Sequence, residues 1–167
     1  ARRFPEVRFI AIGRARDKGF DRRLRERYAD LPNLEMPGHL DPFESPRLSG
    51  ILSESWVLVN TASREGLPNA FLEAGAHGCA VLSGLDPGGF VSRFGAVVQD
   101  GDFASGLSEL LQGGRWRECG ERARAFVRDT FELERAMDRH VALYHEQLAA
   151  SSSRPPSKPV AASRSVA

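Results

Sequence analysis

The chain has 167 residues, 41% of them hydrophobic, with 23 basic and 22 acidic side chains and a formal net charge of +1. That length fits one domain with enough apolar material for a core. Residues 1–148 hold 20 basic against 22 acidic side chains, so charge does not point to a nucleic-acid binder. No apolar run is as long as a membrane span, and no signal-peptide pattern opens the chain. Cys79 and Cys119 lack metal or redox spacing and fit a reducing, cytoplasmic compartment, and Cys79 reads as a small buried hydrophobe.

Taken in order, Phe4 to Gly13 reads as a strand with its lead-in. Phe20 to Ala29 reads as a helix, with Phe20, Leu24 and Tyr28 at four-residue spacing and an arginine-rich solvated face. Asn33 to Met36 is a second short strand, ended by Pro37-Gly38, and Pro46 to Ser53 a helix with Leu48, Ile51 and Leu52 inward. Val57-Leu58-Val59 is a short buried strand, followed by a turn and a helix that opens near Asn69. Ala80 to Leu82 and Ala96 to Val98 are further strands, separated by a glycine-rich loop with a helical turn at Phe90 to Phe94. Strand and helix patterns alternate, which predicts an α/β fold: a Rossmann-like parallel sheet with helices on both faces.

Beyond Asp102 the pattern is helical: Phe103 to Leu111, Trp116 to Thr130, and Leu133 to Leu148. In the last, Met137, Val141, Tyr144 and Leu148 form a core stripe, with His140 and His145 on the surface. Ser151 to Ala167 contains Ser-Ser-Ser and Pro-Pro and no aromatic residue, too little to bury. The expected organisation is a domain over 1–148 and a disordered tail over 149–167.

The most informative stretch is Glu65 to Ser83. Gly66 permits close approach, Pro68 suits a first helical turn, and Leu67, Asn69, Ala70 and Phe71 offer amide donors at the helix start. A strand, tight turn and helix in this order aim N–H groups and the positive helix end at one point, which suits a phosphate. An ordinary connection whose amides meet water fits the same residues. Glu73 lies in a helix apolar on every other side, so burial of that helix would require its carboxylate to be hydrogen-bonded. The hydroxyl pair of a sugar ring could supply those bonds, whereas a Glu at the rim of the helix would need none. Glu65 stands at the strand's carboxyl end, the ligand side of an open α/β sheet. Both acids belong to one turn-and-helix unit, so they do not form a glycosidase pair facing one bond from opposite sides.

The spacing of Glu65 and Glu73, with Gly66-Leu67-Pro68-Asn69 between them, resembles the donor-binding motif of retaining GT-B glycosyltransferases of the group 1, family 4 type. Ala76 to Ser83, Asp86-Pro87-Gly88-Gly89, Gly95 to Val98, Asp100-Gly101-Asp102 and Phe4 to Gly13 are similar to further passages of that family, in its order. The likeness covers roughly residues 1 to 148. It implies that Glu65 contacts the transferred sugar and that Glu73 binds the ribose hydroxyls. It also implies that Gly66, Leu67, Pro68, Asn69, Ala70 and Phe71 present the turn to sugar and diphosphate, with Gly38 and His39 near the base. Gly13 closes the first strand on the ligand side. The implied reaction moves a hexosyl group from a UDP- or GDP-sugar to an acceptor with retention, with no metal and no cofactor required.

The family's donor domain begins with a strand and an Arg/Lys turn, and an acceptor domain precedes it; neither is expected in this chain. Gly13-Arg14-Ala15-Arg16-Asp17-Lys18 imitates the Arg/Lys turn but follows the wrong strand, so Arg14 and Lys18 are expected to be solvated. The expectation is therefore a fragment that binds donor weakly and turns nothing over, in which the apolar stripe of the last helix, packed in the family across the absent acceptor domain, is partly uncovered and open to self-association. Its implied partners are a nucleotide-sugar and the absent acceptor domain, not nucleic acid or a spanned membrane. Peripheral membrane association stays open for a full-length protein. Two rivals remain: a sugar-nucleotide epimerase using His39 or His77, and a non-catalytic nucleotide-sugar-binding or interaction module. A dehydrogenase is disfavoured because no G-x-G-x-x-G follows a strand.

Overall fold

A computed structural model describes residues 1–15, 17–41 and 46–152, with side chains described through 150. The elements in chain order are β1 (Phe9–Ile12), α1 (Lys18–Arg27), β2 (Leu34–Gly38), α2 (Arg47–Glu54), β3 (Val57–Asn60), α3 (Asn69–Ala76), β4 (Ala80–Ser83), α4 (Phe90–Phe94), β5 (Gly95–Val97), α5 (Phe103–Leu111), α6 (Arg115–Phe131) and α7 (Leu133–Ser152). Each sequence-predicted strand and helix is present, with ends displaced by a few residues. No helix among the described residues is long and apolar enough to cross a membrane. The chain divides into two compact units, Ala1–Val127 and Arg128–Ala167.

In the first unit every strand pair is parallel, as expected of a Rossmann-like α/β fold. The strands form two sheets rather than one, β1-β2 and β3-β4-β5. A continuous sheet would set β1 and β3 about 4.8 Å apart; instead a groove separates them. β2 runs through Pro37 to Gly38, past the expected end. Among the described residues its only strand partner is β1, and an edge strand tolerates a proline.

β4 is the centre of the core, with all four residues fully buried. Its side chains alternate. Val81 joins Phe71, Phe90, Phe94 and Ala123 on one face, while Ala80 and Leu82 join Leu107, Leu110 and Cys119 on the other. Helices thus cover both faces, as parallel strands require. Two glycines allow close packing: a Cβ on Gly95 would lie 1.7 Å from the Val81 carbonyl oxygen, and one on Gly120 1.9 Å from that of Gly78.

The N-terminal lead-in is held by Asn33, whose Nδ2 donates to the carbonyls of Ala1, Phe4 and Val7 at 3.2, 2.9 and 2.8 Å. Arg8 and Glu35 make a bidentate pair across β1 and β2, at 2.6 and 3.0 Å. Both cysteines are buried, Cys79 as expected. The Cys79 thiol donates to the Leu52 and Ser55 carbonyls, and burial pushes it up to about 11.

In the second unit the stripe of α7 is exposed, as the resemblance implies, rather than core: Met137, Val141, Tyr144 and Leu148 are 49–68% exposed. Helical periodicity reveals that a stripe exists, not whether anything covers it. The helix also continues to Ser152, so residues 149–152 are not tail; Ala149 and Ala150 are strong helix formers. The rest of the expected tail lies outside the described residues.

Candidate functional site at the carboxyl end of the third strand

β3 ends at Asn60, whose amide organises the loop beyond it. Asn60 Oδ1 accepts from the Ala62 N–H at 2.7 Å, a turn in which the side chain replaces a backbone carbonyl. Asn60 Nδ2 donates to Glu65 Oε2 at 3.0 Å. The Glu65 carboxylate is therefore held at the strand's carboxyl end, where the sequence placed it. Asn60 was not among the predicted site residues. An Asn closing an apolar run and followed by a polar turn was the available signal.

Gly66 and Leu67 are exposed, and Pro68 lies just outside α3 as its N-cap, with φ −65° and ψ 136°. Asn69, not Pro68, is the first helical residue. No side chain caps the helix, and the Asn69 and Ala70 N–H groups have no acceptor among the described residues. Phe71 differs from expectation. Its N–H donates to the Pro68 carbonyl at 3.0 Å and its ring is fully buried beside Phe90. It anchors the turn from behind and offers no free amide to a ligand.

The other end of α3 is fastened tightly. Gly78, at φ +81°, lets the chain reverse, so that Gly78 N–H donates to the Gly75 carbonyl and Cys79 N–H to that of Ala74, both at 2.9 Å. His77 Nδ1 lies 2.8 Å from the Glu73 carbonyl oxygen, and Nε2 2.8 Å from Ser49 Oγ. Both ring nitrogens are engaged in bracing α3 against α2, which leaves His77 a structural part rather than a base.

Glu73 lies one turn into α3. The helix is not buried all round: Phe71, Ala74 and Gly75 face the core, while Asn69, Ala70, Glu73 and Ala76 are exposed. Alanine and glycine count as apolar in a pattern but expose little surface. The Glu73 carboxylate is therefore not buried, as first expected of an all-apolar helix, but lies at the rim and needs no partner within the chain. What holds is that Asn69, Ala70 and Glu73 share the open side of α3.

Gly13, Gly38 and His39 close the strands of the other sheet. Gly13 N–H donates to the Gly38 carbonyl at 3.0 Å, and Gly38 adopts φ +85°. His39, Arg14 and Lys18 are exposed, the last two as expected of solvated charges. Lys18 opens α1, which Asp17 caps by accepting from the Gly19 N–H at 2.8 Å. Arg16 lies outside the described residues. No group of three His, Cys, Asp or Glu side chains among the described residues is placed to hold a metal ion.

The sequence model of the family "Glycosyl transferases group 1" matches residues 1–113. No curated protein sequence matches the chain. Among solved structures, a pneumococcal O-GlcNAc transferase, GtfA, in complex with UDP and GlcNAc is similar, with a TM-score of 0.68 at 16% identity over 88% of this chain and 31% of that one. AviGT4, a glycosyltransferase involved in avilamycin A biosynthesis, gives 0.59 at 18% identity over 86% of this chain and 43% of its own. WaaG, a glycosyltransferase involved in lipopolysaccharide biosynthesis, gives 0.57 at 20% identity over 74% and 34%. The likeness to these structures is one of fold, and the chain spans less than half the length of each.

Proposed function

This chain belongs to the group 1 glycosyl transferases, and on that premise we propose that it is the donor-binding half of a retaining enzyme that transfers a hexosyl group from a UDP- or GDP-sugar. The observation that carries this reading is the open side of α3. Two uncapped amides, Asn69 and Ala70, stand beside Glu73, directly after a loop whose Glu65 is fixed by Asn60. The amides and the positive end of the helix meet the diphosphate, and they strengthen their hold as negative charge grows on the leaving group. Protein donors carry that charge, with no metal required. Glu73, an acceptor-only carboxylate, takes the hydrogen bonds of the ribose hydroxyls. Glu65 takes those of the sugar. Gly66 and Leu67 line the approach, and Gly13, Gly38 and His39 bound the base on the other sheet.

The acceptor side belongs to another domain, so the 167-residue chain by itself binds donor weakly and does not turn over. Titration calorimetry with UDP, GDP and a matching nucleotide-sugar tests the assignment. Glu73→Ala is expected to weaken nucleotide binding by about tenfold, the worth of one charge-assisted hydrogen bond, with the fold unchanged. Equal binding by both versions removes Glu73 from the ribose role, and transfer at an ordinary enzymatic rate by the isolated chain refutes the division of labour.

A further inference from the structure

The open side of α3 carries no positive side chain. Glu65 and Glu73 are exposed carboxylates, and the free amides of Asn69 and Ala70 are neutral. The helix end supplies about half a positive unit charge, against two full negative ones. A diphosphate arriving there adds further negative charge at short range, and like charges repel. Amide hydrogen bonds alone therefore leave this anion poorly matched by charge.

Residues 61–89 contain a single arginine or lysine, Arg64. His77, in the same stretch, has both ring nitrogens engaged. Arg64 lies between two tethers to one side chain: the Ala62 N–H donates to Asn60 Oδ1 at 2.7 Å, and Glu65 Oε2 accepts from Asn60 Nδ2 at 3.0 Å. Its backbone is thereby pinned at the carboxyl end of β3, the ligand side of a parallel sheet. Its side chain is exposed, and no carboxylate among the described residues pairs with it. Other arginines are engaged: Arg2, Arg8 and Arg25 in ion pairs, Arg93 against two aromatic rings. Even the adjacent Glu65 turns to Asn60 instead. An arginine next to a carboxylate and bound to none is available to an anion from outside.

We propose that Arg64 is a diphosphate-binding residue of this site, its guanidinium donating to phosphate oxygens as the counter-charge that the α3 amides lack. The planar fork of an arginine matches two phosphate oxygens at once, and such charge-assisted bonds are about twice as strong as neutral ones. The two parts divide the work. The amides and helix end orient the phosphates, while Arg64 offsets the repulsion of Glu65 and Glu73. Those two acids then stay free to accept from hydroxyl groups. The inference rests on the donor reading for the identity of the ligand and adds to it the cation that binds the phosphates.

The test is an NMR titration of the whole chain with UDP and GDP, with uridine and guanosine, and with inorganic pyrophosphate. Arg64→Ala is expected to weaken both nucleotides and pyrophosphate by about tenfold. The two nucleosides and the unfolding midpoint should not change, because the side chain is exposed. Arg64→Lys keeps the charge without the fork and is expected to lose less. Equal nucleotide affinity in Arg64→Ala and the unaltered chain overturns the proposal. An equal loss with the nucleosides overturns it too, since the phosphates would not be what Arg64 holds. Glu73→Ala separates the two assignments. Nucleotide loss in Glu73→Ala with none in Arg64→Ala leaves the donor reading standing and removes Arg64 from it. Pyrophosphate loss in Arg64→Ala with no effect of Glu73→Ala on nucleotides keeps Arg64 and removes the ribose role. Binding of neither nucleotide nor pyrophosphate by the unaltered chain overturns both.

Discussion

Single residues divide cleanly between holding the site and forming it. Phe71 sits two residues past the helix start, a position that the sequence assigns to the ligand-facing turn. Its ring is among the largest side chains fully buried in the fold. Phe71→Ala is expected to lower stability by about 3–5 kcal/mol, measured by urea unfolding. Glu73→Ala should leave the unfolding midpoint unchanged, because that carboxylate is exposed. A matched loss in both variants would contradict this division. Spacing alone made the two acids legible, and their exposure could not be read from it. The hold of Asn60 on Glu65 depends on the path of a loop, which no local pattern reports.

At the scale of elements, α3 is fastened at its end and open at its start. Gly78→Ala forces a side chain into the left-handed region at the helix stop and is expected to cost about 1–2 kcal/mol. A thermal scan checks this, and an unchanged melting temperature would show that the stop tolerates another geometry. Three acids are lowered by hydrogen bonds, two of them at helix starts and one between β1 and β2. The Asp102 carboxyl is held below its usual range by Ser105, whose hydroxyl and N–H both donate to it at the start of α5. Glu35 is lowered by its bond from Arg8. Burial pushes Asp86 up, but bonds from Ser92 and Val91 at the start of α4 outweigh it and leave the group lowered. A carboxyl lowered in the folded state stabilises fully above its ordinary value, about pH 4, and that contribution is lost as pH falls through the folded-state value. Acid unfolding should therefore set in below about pH 4. Asp102→Asn keeps an acceptor for the Ser105 N–H and should flatten the fall, as followed by circular dichroism. An equally steep fall would remove Asp102 from the acid response.

For the molecule as a whole, stability is concentrated around β4. That strand has helices packed on both faces and strands on both edges, whereas the β1-β2 pair is half exposed. Amide exchange should be slowest in Ala80–Ser83 and clearly faster in Phe9–Ile12 and Leu34–Gly38. Equal protection across all five strands would mean that the two sheets unfold as one body and would falsify the picture of a divided sheet.

The order of elements, the parallel α/β class and the two acids around a Gly-Leu-Pro-Asn turn were determined by the chain's own pattern. Apolar periodicity, turn residues and helix stops are local, and each acts within a few neighbours along the chain. Tertiary structure alone decided that the sheet is divided between β1 and β3. It also decided that Glu73 is exposed and that Phe71 faces inward. Each of these depends on what stands beside an element in space, and an apolar run reads the same whether its neighbour is another strand or an empty groove.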